Sequence, residues 1–86
     1  MNNVLMRKIV VTGDFAALAS EETVATVEIS CPPDNAGSVT FQSLDDTGEE
    51  VPWQPGEWHP FDRVNLASVQ VKGTPGDVVT VVGRSA

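Results

Sequence analysis

Apolar and polar residues alternate with a period of two over several short stretches of this chain, and glycine or proline punctuates the intervals between them. Such alternation sends successive side chains to opposite faces of an extended strand. From Thr23 to Cys31, the residues Ala25, Val27, Ile29 and Cys31 share one face, while Val24, Thr26, Glu28 and Ser30 share the other. The first set predicts core and the second predicts water. Pro32 and Pro33 end this strand because neither can donate to a ladder, and Asp34–Gly37 supplies the turn residues that follow. Ser38–Gln42 alternates again and buries Val39 and Phe41, with Leu44 out of register as the next loop begins.

The second half continues in the same way. Asp45–Glu50 is too charged to bury, and Pro55-Gly56 fits the two central positions of a type II turn. Glu57–Phe61 resumes an extended strand that Pro60 confines to an edge or a strand end, and Asp62–Asn65 reads as a connection. Leu66–Lys72 sets Ala67, Val69 and Val71 against Ser68, Gln70 and Lys72, with Leu66 packing at the strand entrance. Gly73–Asp77 then turns the chain into Val78–Val82, an almost continuous apolar run that predicts a central strand and a hairpin with the strand before it. Phe15–Glu22 is the one stretch with helix propensity, and at barely two turns it predicts a loop or a short turn of helix. With the N-terminal run Leu5–Val11 the count reaches six to eight strands. That number predicts an all-β fold, a small antiparallel β-sandwich or jelly roll. The 86 residues form one domain, with residues 1–13 as an N-terminal arm or edge strand.

A domain of this size buries only about 60–65% of the surface of its unfolded chain, so its core is thin. Disulfides, a structural metal or association usually compensate. Cys31 is the only cysteine and His59 the only histidine, which excludes an internal bridge and leaves too few ligands for structural zinc. Association remains, and a homo-oligomer is expected. Twelve acidic and five basic residues give a net charge of -7, which argues against nucleic acid and anionic membrane surfaces as partners. Arg7 and Lys8 interrupt the apolar start and break any signal-peptide core, so synthesis in the cytoplasm is expected.

No constellation of side chains predicts catalysis or a cofactor. Asp45, Asp46, Glu49 and Glu50 lack the alternate-position spacing of a calcium loop and read as a solvated loop. No motif places a nucleophile beside His59, which reads as a surface histidine on an edge strand, and Cys31 falls on an apolar face as a small hydrophobe. Trp53 and Trp58 flank a turn. One of them belongs in the core, and the other, with Phe61, predicts an exposed apolar patch through which subunits meet. The expected interface therefore comprises Val4, Leu5, Met6 and Ile9 from the N-terminal run together with Trp53, Trp58 and Phe61. Stacking of the tryptophans on sugar rings is the alternative, as in a glycan- or receptor-binding module.

The order of four segments also resembles a family. Asn35–Val39 makes an N-x-G turn, Gln54–Glu57 a P-G-E turn, Asn65–Gly73 an N-L strand and Pro75–Val81 a G-D-V-V strand. In this order they resemble small β-sandwich virion proteins of tailed bacteriophages, including head-decoration (cement) and fibre-like proteins, over roughly the last two-thirds of the chain. The resemblance implies a structural virion protein without enzymatic activity. It implies binding to the major capsid protein or another virion component, often as a homotrimer. The Trp53/Trp58 pair and Pro60 depart from that pattern.

Overall fold

A computed structural model describes residues 3–85. Eight strands run in chain order as β1 (Val4–Val10), β2 (Ala16–Ala17), β3 (Val24–Ser30), β4 (Val39–Ser43), β5 (Val51–Trp53), β6 (Trp58–Asn65), β7 (Val69–Lys72) and β8 (Val78–Ser85). They form two four-stranded antiparallel sheets, sheet A in the order β1-β8-β3-β6 and sheet B in the order β2-β7-β4-β5. The protein is a small β-sandwich. Its shortest dimension is 19 Å, room for two sheets about 10 Å apart and a single layer of side chains between them. That layer holds Ala25, Val27, Ile29, Val79 and Val81 from sheet A and Val39, Phe41, Trp53 and Val71 from sheet B.

The faces follow the alternation of the sequence. Ala25, Val27, Ile29 and Cys31 are buried, β8 is central between β1 and β3, and β6 with its Pro60 lies at an edge. Gly56 has φ 93° and Glu57 N–H donates to the Gln54 carbonyl, as a type II turn over Gln54–Glu57 requires. The weak helix signal in Phe15–Glu22 yields instead the two-residue strand β2. Leu66–Ser68 is a 3₁₀ turn capped by the Asn65 side chain, and it buries Leu66 completely before β7 begins.

Two expectations fail for identifiable reasons. β7 and β8 do not form a hairpin: β7 lies in sheet B and β8 in sheet A. The turn between them is drawn across the sandwich by polar anchors. The Asp77 carboxylate accepts hydrogen bonds from Ala36 N–H (2.9 Å) and Gly37 N–H (3.0 Å). Asn35 donates its amide to the Val78 carbonyl (2.7 Å) and accepts from Val78 N–H (2.9 Å), pairing as a strand residue would. The β7–β8 and β3–β4 connections are thereby latched to each other.

Asp62–Asn65, expected as a connection, belongs to β6 and contains a bulge. Val27 pairs with Phe61 and Ala25 with Val64, so Thr26 alone faces both Asp62 and Arg63. Arg63 takes φ 55°, the left-handed region, and the Thr26 hydroxyl holds the bulge by donating to Asp62 Oδ1 (2.9 Å) and accepting from Arg63 N–H (3.2 Å). Without the extra residue Val64 would fall on the outer face. With it, Phe61 and Val64 both pack against the core.

Candidate interaction surfaces

The outer faces of the two sheets differ in chemistry. Sheet B presents Thr40, Gln42, Gln70 and Lys72, with Gln42 hydrogen-bonded to Gln70 (2.7 Å) and Lys72 paired with Glu50 (3.2 Å). Sheet A presents apolar side chains to solvent instead. Its registers place Val4 beside Arg84, Met6 beside Val82, and Val10 beside Val78. Val4 and Met6 are 76% and 71% exposed, and Val10 and Val82 are exposed as well, so apolar side chains line β1, with Lys8 between Met6 and Val10, and continue onto β8 at Val82, beside Glu28 of β3. On the same face, Lys8, Thr80, Ser30 and Trp58 fall in one row across the four strands.

The residues expected at an interface divide accordingly. Val4, Met6 and Trp58 lie exposed on the outer face of sheet A. Leu5 and Trp53 point inward by their phase in β1 and β5, and both are buried, Trp53 against the cleft described below. Ile9 and Phe61 are partly buried and pack against the core. Val82 belongs to the apolar run Val78–Val82 that predicts a central strand. That run, broken only by Thr80, must expose apolar side chains wherever the outer face of the sheet is uncovered.

A second feature lies at the opposite end of the sandwich, where β5 with three residues faces β6 with eight. Strands of those lengths span about 10 Å and about 26 Å, so the sheets part beyond Trp53 and leave a cleft of about 700 Å³. Its apolar floor includes Ile29, Phe41, Trp53, Phe61 and Val64, and its rim carries Asp45, Asp46, Glu49 and Arg63. Trp53 is clamped in the floor by Phe41, with ring centroids 3.9 Å apart, by the edge-on His59 ring at 4.7 Å and by the parallel Phe61 ring at 6.3 Å. His59 in turn meets the Glu57 carboxylate at 2.7 Å, and this contact, with the Gln54 N–H bond to the same side chain, holds the Glu57 carboxyl below the usual carboxylate range. The acidic loop expected to be solvated thus forms one bank of the cleft. The bulge at Asp62-Arg63 brings Arg63 to the other.

Cys31 is fully buried, and Asn35 donates to its sulfur at 3.3 Å. Among the described residues, no three histidine, cysteine or carboxylate side chains are grouped as a metal site requires. No family model matches the chain, and neither a curated protein nor a solved structure does.

Proposed function

We propose that this protein is an attachment domain that works by binding other protein through the outer face of sheet A. One observation carries the reading: the chain keeps Val4, Met6, Val10 and Val82 exposed together on one sheet while giving the other sheet a polar face. Exposed apolar side chains grouped in this way on a small domain mark a surface that a partner covers. A thin core and the lack of a disulfide favour the same reading, since a bound neighbour stabilises the folded state by mass action. The resemblance to phage virion proteins gives the proposal its concrete form. In that form the protein is a capsid decoration (cement) protein, a homo-oligomer seated on the major capsid protein. Burial of Trp53 leaves Trp58 as the exposed tryptophan, so the paired sugar-stacking platform of the glycan alternative loses one member.

Removing the N-terminal segment is a poor test, because it takes Leu5 and Val11 out of the core. A photoreactive residue substituted for Met6 or Val82, and for Gln42 on sheet B as the control, tests the face directly. Discrete protein adducts are expected from the sheet A positions alone. For the capsid form, wild-type protein should saturate purified particles and Met6→Glu should not. Equal labelling from Gln42, or no adduct from Met6 and Val82, would refute the proposal.

A further inference from the structure

We propose that the cleft between β5 and β6 receives the β1 edge of a second copy of this chain, so that copies associate head to tail. The inference rests on the attachment reading and supplies a partner for it. Four strands lie at sheet edges, and three of them are poor templates. β2 has two residues, β5 has three including Pro52, and β6 carries Pro60 and the Asp62-Arg63 bulge. β1 has seven residues without proline and pairs on one side only, with β8.

Charge selects the occupant. β1 and β8 together carry Arg7, Lys8 and Arg84 and no acidic residue. The stretch from Asp45 to Arg63 carries six of the twelve carboxylates against the single cation Arg63. β1 and β6 occupy opposite ends of sheet A, about 14 Å apart at a strand spacing of about 4.8 Å. The molecule is therefore polarised, with a basic apolar edge at one end and an acidic-rimmed apolar cleft at the other. Val4 and Met6 have in the cleft an apolar floor to cover, and Arg7 and Lys8 have its carboxylates to approach.

Self-pairing of β1 in a two-fold dimer is disfavoured by the same residues. The antiparallel register that pairs all seven positions sets Arg7 opposite Arg7, and like charges directly opposite destabilise a strand pair. An interface between two different surfaces does not close on itself at two copies. It continues to a ring or a chain of copies.

Two variants, each disabled at one end, test this. Arg7→Glu/Lys8→Glu alters only exposed side chains of β1, and Asp45→Asn/Asp46→Asn/Glu49→Gln alters only the exposed bank of the cleft. Near-ultraviolet circular dichroism establishes that both keep the native fold. In sedimentation velocity at low salt the wild type should associate progressively with concentration. Its association should weaken about tenfold or more toward 1 M salt, where the screening length falls to about 3 Å. Each variant alone should remain monomeric. Their mixture should form a 1:1 complex that grows no further, because one intact edge then meets one intact cleft. A monomeric wild type at every concentration and salt, a cleft variant that associates as the wild type does, or a mixture that stays monomeric would each overturn the head-to-tail arrangement. Adducts from Met6 to a different protein would survive any of these results, so failure here is separable from failure of the attachment reading.

Discussion

Gly83 is the position where a single methyl group should do most damage. It pairs with Leu5 of β1 and Val27 of β3 in the middle of sheet A. A Cβ at this position would overlap the Thr26 carbonyl oxygen and stand 2.7 Å from Val27 Cα. Both obstacles are backbone, so no side-chain rotation relieves them. Ordinary non-bonded contact begins near 3.5 Å, and Gly83→Ala must push β8 from β3 by more than about 1 Å. That movement takes neighbouring ladder bonds out of the range of about 2.7–3.2 Å in which they are effective. Losing two such bonds at about 1 kcal/mol each, with about 1–3 kcal/mol of overpacking strain, gives a destabilisation of about 3–5 kcal/mol. At about 4–8 °C per kcal/mol for a domain of this size, the midpoint of thermal unfolding should fall by at least about 12 °C. Gly13→Ala is the control: nothing lies within 4 Å of its Cβ position, so its midpoint should hold or rise. Thermal melts followed by tryptophan fluorescence compare the two. A Gly83→Ala protein within about 1 kcal/mol of wild type would show that the close approach of β8 to β3 at Thr26 is not a constraint on the fold.

Asp77→Ala should cost about 2–3 kcal/mol in urea denaturation, because two backbone N–H groups, those of Ala36 and Gly37, lose a charged acceptor. Met6→Glu and Val82→Lys should leave stability within about 0.5 kcal/mol of wild type, since both side chains are exposed and Val82 lies opposite Glu28; a large loss in the same denaturation assay would mean that these side chains belong to the fold. Glu57 has its carboxyl lowered by His59 and by the Gln54 N–H. Its contribution is therefore fully present above the unfolded glutamate pKa of about 4.3 and is lost as pH falls through the lower folded value. Melts of Glu57→Gln against wild type should differ above that range and converge below it. The fully buried Cys31 thiol should react with Ellman's reagent only in denaturant, and prompt labelling of native protein would contradict its placement.

The alternation of the sequence made much of the fold legible, because a half-buried strand must alternate if one face is dry. β3 shows this most fully, with every inward and outward position of Val24–Cys31 matching its phase. Sheet membership was less accessible. Gly73–Asp77 has the composition of a hairpin turn, and what sends β8 to the other sheet is the grip of Asn35 and Asp77 some 40 residues apart in sequence. Local turn chemistry carries no trace of that contact. The bulge did leave a mark, since Phe61 and Val64 are spaced by three where a regular strand would space inward residues by two. Trp53 and Trp58 were separable only in three dimensions. Both stand in strands beside one tight turn, and which of them faces inward depends on which sheet each strand joins. The cleft could not be foreseen at all, because it arises from the unequal lengths of β5 and β6 where they face each other across the sandwich.

The treatment of the sheet edges ties these features together. A small sandwich must keep four edges from pairing with whatever strand they meet, and here brevity protects β2 and β5 while proline and a bulge protect β6. β1 is guarded by charge instead. Arg7 and Lys8 stand in the middle of an otherwise apolar strand. The phase of Arg7 should aim it inward beside Leu5 and Ile9, yet it is exposed at the edge of the sheet. A guard made of charge is selective in a way that proline is not. It repels a second basic edge and admits an acidic surface. In a chain of net charge -7, placing three of five cations on the one unblocked edge and its neighbour strand both prevents indiscriminate strand pairing and directs that edge toward a carboxylate-rimmed partner.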